Sequence, residues 1–183
     1  IIAVMDSDDI CELDRFEKQI NVIETNSKMV VSGWIEEFNE VPKDAGKARK
    51  TPTDYKEIIS YGKWRNPINH VTLMFTRKAY EHVGGYSSIR HSEDWDLISR
   101  MLVKGVKVIG IPHVLVNVRA GDEMIERRRN IEQFKGELRL FIKMHKIGYL
   151  NFFQLLANMV IRIILRILPK FITKLTYKNL LRK

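Results

Sequence analysis

The stretch IIAVMDSDDI, residues 1–10, joins an apolar run to a group of acidic side chains. Residues 1–5 predict a buried strand, and Asp6, Asp8 and Asp9 follow it directly, with one serine among them. Apolar residues at steps of three and four then predict an amphipathic helix whose buried face consists of Leu13, Phe16, Ile20 and Ile23. A strand, an acidic loop and a helix in this order indicate an α/β fold.

The rest of the chain alternates apolar runs with helical patterns. Strands are predicted at residues 29–35, 70–76 and 106–111, and residues 113–118 either continue the last strand or pair with it. Helices are predicted near 54–61, at 77–83 before Gly84-Gly85, at 93–104 and over 122–145, with a polar connection at 39–54. This order predicts a layered α/β domain over residues 1–146, followed by a helical tail over 147–183.

Composition and charge exclude several classes of protein. A chain of 183 residues with 45% hydrophobic side chains suits one domain with a substantial core, and a single cysteine rules out an intrachain disulfide. The first residues form no charged leader or cleavage site, so we expect a piece of a longer protein without a targeting signal. Ten Lys or Arg and no acidic residue follow Glu137, which leaves residues 1–137 at −1 out of a total of +9. The basicity therefore belongs to the tail.

The tail has the pattern of amphipathic helices. Its cations recur every four residues among many aliphatic side chains, at Arg162, Arg166, Lys170, Lys174, Lys178 and Arg182. Pro169 predicts a break into two helices, and the arginines interrupt the best transmembrane candidate. Residues 150–183 therefore predict interfacial helices on an anionic membrane surface, with packing on protein as the alternative. The absence of an aromatic stacking platform argues against nucleic acid.

Two acidic stretches have patterns suited to chemistry. Ligands of open α/β sheets bind beyond the carboxyl ends of strands, where Asp6, Asp8 and Asp9 are expected, and hard divalent cations prefer carboxylate oxygens. In HSEDWDLISRM, residues 91–101, a helix places Asp94 at the start of the apolar stripe and turns Glu93 and Asp96 elsewhere. A partly desolvated carboxylate suits a general base. The alternative is that both stretches merely form turns, caps and dipole-compensating first turns.

A third stretch, NPINHVTLMFTRKAYEHVGGY at 66–86, places His70 before a strand. The ordered set of MDSDD, this stretch, SEDWDLISRM and IPHVLVNVR resembles the family-two inverting glycosyltransferases with a GT-A fold. The likeness is closest to bacterial enzymes that build capsular or lipopolysaccharide sugars. It implies a partial GT-A fold, which is a Rossmann-like mixed sheet flanked by helices. The N-terminal nucleotide-binding part of that fold is missing, so we expect this piece alone to be inactive.

The resemblance implies a role for each candidate residue. On the donor side, Asp6 would lie near the ribose of a nucleotide-sugar, such as a UDP-sugar. Asp8, with Asp6, would hold Mg²⁺ or Mn²⁺ at the diphosphate, assisted by Asp9, while Arg119 would line the donor site. On the acceptor side, Asp94 would deprotonate the hydroxyl of a saccharide or lipid-linked acceptor, Glu93 would orient it, and His70 would line the site.

The same resemblance implies one in-line displacement with inversion, and it implies a peripheral position on the cytoplasmic face of the membrane. The absence of Q-x-x-R-W favours transfer of one sugar at a time. Two alternatives remain. A haloacid-dehalogenase-like phosphohydrolase would use Asp6 as nucleophile and GDEMIE, residues 121–126, as its later acidic motif. A non-catalytic module would bind only the membrane surface.

Overall fold

The computed structural model describes residues 1–42, 44, 46–119 and 131–167. Its strands are β1 (Ile2–Ala3), β2 (Ile10–Cys11), β3 (Met29–Phe38), β4 (Lys47–Arg49), β5 (Met74–Phe75) and β6 (Lys107–Arg119). Its helices are α1 (Arg15–Ile20), α2 (Tyr55–Gly62), α3 (Arg77–His82), α4 (Glu93–Val103), α5 (Ile131–Lys146) and α6 (Phe152–Ile167). The predicted α/β class, with a mixed sheet flanked by helices, is confirmed.

The direction of the strands brings several loops to one edge of the sheet. The strand order is β1-β5-β3-β6-β2, with β4 paired to the second half of β3. The long central strands β3 and β6 are parallel, and β5 is antiparallel to both β1 and β3. The carboxyl ends of β1, β3 and β6 and the beginning of β5 therefore lie at the same edge, where α/β folds bind their ligands.

The sheet is covered on both faces. Val30 and Val108 point into the larger core, which the helices cover, whereas Met29 and Val31 point into a second core on the opposite face. This alternation is the two-residue period of a strand. Gly110 allows a close approach between β6 and the segment before α2, since a Cβ there would lie 2.5 Å from the carbonyl oxygen of Pro52.

The predicted buried face of the first helix is wrong. Leu13 precedes α1, and the side chains of Leu13, Phe16 and Ile20 are exposed, although Ile23 is buried. Arg15 and Gln19 are buried instead. Nη2 of Arg15 donates to the carbonyl of Val4 at 2.8 Å, and Nε2 of Gln19 donates to the carbonyl of Thr72 at 2.7 Å. The buried side chains of this helix are therefore those that donate hydrogen bonds to carbonyl groups at the edge of the sheet.

The predicted strand at 70–76 is also shorter than expected, because residues His70–Thr72 form a 3-10 turn and only Met74–Phe75 pair. The hydroxyl of Thr72 donates to the carbonyl of Asn69 at 2.8 Å and so closes the turn. Elsewhere, residues 113–118 continue the preceding strand within β6. The described part of the predicted helix at 122–145 begins at Ile131, and the rest of that prediction lies outside the described residues.

The described part of the tail packs on the domain. Tyr149 and Leu150 lie in the larger core, and Nδ2 of Asn158 donates to the carbonyl of Lys63 at 3.0 Å. In residues 1–42, 44, 46–119 and 131–167, no helix combines the length and hydropathy of a membrane span. The boundary between residues 146 and 147 stays a prediction, and Pro169 with the cations from Lys170 onward lies outside the described residues.

Candidate active site

The acidic loop leaves β1 at the edge described above. The N–H of Asp9 donates to the carbonyl of Asp6 at 3.4 Å, which closes a turn, and β2 follows at once. Asp6 and Asp8 are exposed, whereas Asp9 is half-buried. Because β2 separates this loop from α1, the loop does not cap that helix. The turn half of the alternative explanation is therefore correct, and the capping half is wrong.

Asp9 and Arg119, two predicted donor-site residues, are in contact. Oδ1 of Asp9 accepts from the backbone N–H of Arg119 at 3.1 Å. The guanidinium of Arg119 lies over the Phe38 ring, 4.8 Å from its centroid, and donates to the carbonyl of Asn39 at 3.2 Å. Burial raises the pKa of Asp9, the Arg119 N–H opposes this shift, and the charges of Asp8 and Asp6 add to it. This contact ties the acidic loop to the end of β6.

The predicted general base lies in the first turn of α4. Oδ1 of Asp94 accepts from the N–H of Trp95 at 2.8 Å, and Oδ2 accepts from Nδ2 of Asn66 at 2.6 Å. Trp95 fixes the helix in the core, where its indole N–H donates to the carbonyl of Gly62 at 2.9 Å. Ser92, the expected cap, makes no side-chain capping bond. Capping by Ser92 therefore does not explain this acidic turn.

A cavity of about 820 Å³ lies between the residue pair that precedes the acidic loop and the first turn of α4. Val4, two residues before the acidic loop, lines it together with His70 and Glu93, and the segment 86–91 forms the remaining wall. Nδ1 of His70 is buried and has no hydrogen-bond partner among the described residues, as expected for an atom that a ligand hydroxyl could engage. Residues from three of the stretches quoted above, 1–10, 66–86 and 91–101, thus line one opening.

Tyr86 connects the cavity to the acidic turn of α4. Burial is the largest cause that raises the pKa of its phenol to about 12, and the charges of Asp94, Tyr80 and Glu93 raise it further. The phenol therefore stays protonated at neutral pH, beside the carboxylates predicted to handle the acceptor. Asp94 does not itself line the cavity, and neither do Asp6, Asp8, Asp9 and Arg119.

Sequence reasoning missed three residues of this region. Asn66 and Tyr86 are the first and last residues of the third stretch, but no pattern in the sequence assigned them a role. Asp96 was expected to point away from the core, but it is fully buried. That expectation is wrong because Arg100 and Lys143 pair with its carboxylate, a compensation that the helical pattern does not reveal.

The acidic loop offers ligands of the chemistry that a divalent metal ion requires. Oδ2 of Asp9 is buried without a partner among the described residues, and Asp6 and Asp8 present exposed carboxylates. Within the part of the chain that the structure describes, no group of three or more His, Cys, Asp or Glu side chains forms a metal site by itself. Mg²⁺ needs only one or two protein carboxylates when phosphate and water oxygens complete its shell. The residues therefore fit an ion that is shared with a substrate diphosphate.

Comparison with known proteins agrees with this arrangement. The family model described as glycosyl transferase family 2 matches residues 1–84. The chain is 36% identical over 180 residues to an uncharacterized glycosyltransferase of Haemophilus influenzae, covering 98% of this chain and 67% of that relative. It is 31% identical to the amylovoran biosynthesis glycosyltransferase AmsE of Erwinia amylovora, with the same coverage.

The name of a third relative states the reaction that this relative catalyses. The UDP-Gal:alpha-D-GlcNAc-diphosphoundecaprenol beta-1,3-galactosyltransferase of Escherichia coli is 31% identical over 184 residues, covering 100% of this chain and 66% of that protein. The chain thus spans about two thirds of the length of each curated relative.

The mixed sheet with an acidic loop at its parallel strand ends is that of a glycosyltransferase with a partial GT-A, Rossmann-like fold. The chain belongs to glycosyl transferase family 2. This membership is evidence against the phosphohydrolase and the purely membrane-binding module. The acidic motif predicted for the former, at 121–126, lies outside the described residues.

Proposed function

We propose that the protein is a metal-dependent, inverting glycosyltransferase of surface polysaccharide synthesis. It transfers one sugar from a nucleotide-sugar, in this proposal a UDP-sugar, to a saccharide or lipid-linked acceptor. One observation carries the proposal: the cavity is lined by Val4, which lies between β1 and the acidic loop, by His70, and by Glu93 at the beginning of α4. A donor and an acceptor could therefore meet between these elements.

On the donor side, Asp6 contacts the ribose, while Asp8, with Asp6, holds Mg²⁺ or Mn²⁺ against the diphosphate, assisted by Asp9. The bound ion supplies positive charge that stabilises the departing diphosphate. Arg119 keeps the loop in place through its backbone contact with Asp9. The UDP-galactose donor printed in the name of the E. coli relative supports a UDP-sugar here.

On the acceptor side, Asp94 accepts the proton of the attacking hydroxyl, and Glu93 and His70 orient the acceptor. The two hydrogen bonds to Asp94 fix the plane of its carboxylate and leave further lone pairs for a substrate. The hydroxyl attacks the anomeric carbon as the bond to the diphosphate breaks. A single displacement of this kind inverts the anomeric configuration.

The test is an assay of the full-length protein against a panel of nucleotide-sugars with a lipid-diphosphate-linked acceptor. We expect release of nucleoside diphosphate with one donor, dependence on Mn²⁺ or Mg²⁺, loss of activity in EDTA, and a product of inverted configuration by NMR. Retention of configuration, or full activity in EDTA, would contradict the corresponding part of the proposal. Release of inorganic phosphate from a phosphomonoester would instead favour the phosphohydrolase.

We also propose that the protein lies on the cytoplasmic face of the inner membrane through residues 150–183. In α6, the arginines turn toward the domain, where Arg162 lies 5.5 Å from the centroid of Phe141 and Arg166 lies 4.6 Å from that of Phe134. The opposite face is apolar and exposed, and it carries Phe152, Phe153, Leu156, Val160, Ile163 and Ile164. A membrane surface would cover this face and bring the enzyme to a lipid-linked acceptor.

Flotation with anionic and neutral vesicles tests this placement. We expect the full chain to float with anionic vesicles, and the double variant Phe153→Ser/Ile164→Ser to lose most of that binding. Ile142→Ser, which changes an exposed apolar residue on α5, is the matched control and should float like the wild type. Equal flotation of all three proteins would contradict binding through α6.

A further inference from the structure

The carboxylate of Asp96 is the centre of a buried ionic cluster outside the groups assigned above. Its side chain is 0% exposed. Oδ2 accepts from Oγ of Ser87 at 2.8 Å and from Nε of Arg100 at 2.8 Å, and Oδ1 lies 2.7 Å from Nζ of Lys143. The cluster thus joins α4, α5 and the segment that follows α3.

Arg100 extends this connection along the same segment. Its Nη1 donates to the carbonyl of Val83 at 2.6 Å, and its Nη2 donates to the carbonyl of Gly85 at 2.7 Å. Gly85 adopts φ 68°, a left-handed conformation that glycine tolerates best. Together, Asp96 and Arg100 hold the segment at three points, which are residues 83, 85 and 87.

The far end of the segment is held by α5. Gly136 packs so closely that a Cβ there would lie 2.4 Å from the carbonyl oxygen of Arg90. The residue after Arg90 is His91, whose backbone φ of 66° is strained for a residue that carries a Cβ. Lys143, on the same helix as Gly136, is the partner of Asp96. The contacts at Ser87 and Arg90 thus hold residues 86–91, which form a wall of the cavity.

We propose that Asp96 is a positioning residue: acting through Ser87 and Arg100, it fixes the 86–91 wall and thereby sets the affinity for the acceptor. Buried ion pairs contribute little net stability compared with apolar packing, so stability alone gives a weak reason for an aspartate here. A charge-assisted network does restrict the segment to one arrangement. The wall directly precedes the Glu93–Asp94 turn, which is why the acceptor is the substrate concerned. The kinetic part rests on the proposed function.

Ser87→Ala tests the link while leaving the ion pairs in place. Ser99→Ala is the matched control, because it removes a buried hydroxyl one turn further along α4. Among the described residues, this hydroxyl has one hydrogen-bond partner, the carbonyl of Asp96. In the full-length protein, we expect Ser87→Ala to raise the KM for the acceptor about tenfold, with a smaller change in kcat and an unchanged KM for the donor. Ser87→Thr, which keeps the hydroxyl, should restore most of the affinity.

Hydrogen–deuterium exchange of the amides at residues 84–91 gives a readout that does not need activity. We expect faster exchange in Ser87→Ala than in Ser99→Ala, and in Asp96→Asn where that variant folds. Equal exchange in the two serine variants would overturn the positioning role. Faster exchange with an unchanged acceptor KM would overturn its link to the acceptor. A wild-type protein that transfers no sugar would contradict the proposed function, while the exchange result would still decide whether Asp96 positions the wall.

Discussion

Nδ2 of Asn66 lies 2.6 Å from Oδ2 of Asp94, and this hydrogen bond joins the loop after α2 to the first turn of α4. The position of the asparagine is itself fixed, because Nη2 of Arg49 donates to the backbone carbonyl oxygen of Asn66 at 2.8 Å. The backbone N–H of Trp95 occupies the other carboxylate oxygen of Asp94. The predicted base therefore has a fixed orientation before any substrate binds, which is the arrangement that proton transfer at a defined position requires.

Asn66→Ala should impair turnover without removing the base. A hydrogen bond to a charged group contributes about 1.5–3 kcal/mol, so we expect kcat to fall by about one to two orders of magnitude. Because the lost hydrogen bond orients the carboxylate of Asp94, kcat should change more than the KM values. Asn26→Ala, which changes an exposed asparagine, is the control. An unchanged kcat in Asn66→Ala would contradict this role.

Asp94→Asn should reduce kcat by about 10²–10⁴-fold, the usual contribution of a general base. The Kd for the nucleotide-sugar, measured by calorimetry in the presence of Mn²⁺, should stay close to the wild-type value, since the proposal assigns this side chain to the acceptor and not to the donor. Asp14→Asn is the matched control, because Asp14 directly precedes α1 and makes an exposed ion pair with Lys18. Near-wild-type turnover in Asp94→Asn would rule out this aspartate as the base.

Tyr86 should make the wild type less stable at alkaline pH. Its folded pKa of about 12 exceeds the ordinary 10.0, so between these values the folded state retains a proton that the unfolded state loses. The free energy of unfolding therefore falls as pH rises through this window. Urea unfolding of Tyr86→Phe should show a weaker decline than the wild type. Tyr61→Phe, on α2, is the control, and parallel declines in all three proteins would disprove the shift.

Asp9→Asn should stabilise the protein at neutral pH. Burial raises the folded pKa of Asp9 above 3.8, so the folded state binds more protons than the unfolded state just above that pH. Stability then falls as pH rises through the folded pKa, and the neutral amide avoids this loss while it can still accept from the Arg119 N–H. Thermal melts in EDTA should show a higher midpoint for Asp9→Asn at pH 7 and a smaller difference at pH 3. A lower midpoint at pH 7 would contradict the prediction.

The parts of the fold that were predictable are those in which the information is local. The order of strands and helices and the beginning of α4 at Glu93 follow from apolar spacing, because each element must bury one face or stripe. Apolar spacing does not predict that the residues before the acidic loop, His70 and Glu93 line one cavity. Only the resemblance led us to expect that these stretches lie close together. Their proximity follows in the structure from β1, β3 and β6 running in the same direction.

Failures occurred where a buried polar group has a partner far along the chain. Arg15 and Gln19 take the buried positions of α1 that were predicted for apolar residues. They are buried because their side chains donate hydrogen bonds to the backbone carbonyls of Val4 and Thr72. Arg162 turns inward onto aromatic rings, although its spacing with Arg166 suggested a cationic stripe exposed to lipid. Such pairings depend on which backbone groups the folded chain leaves unsatisfied, and a periodic pattern does not contain that information.

By itself, the sequence determined the α/β class, the acidic loop after the first strand and the acidic turn that begins with Glu93, since these depend on neighbours within a few residues. Only the tertiary structure decided that Asn66 holds Asp94, that Asp96 is buried among three partners, and which face of α6 is exposed. Hydrogen bonds and ion pairs act over a few ångströms in space, and folding brings together atoms that lie 28 residues apart in the case of Asn66 and Asp94.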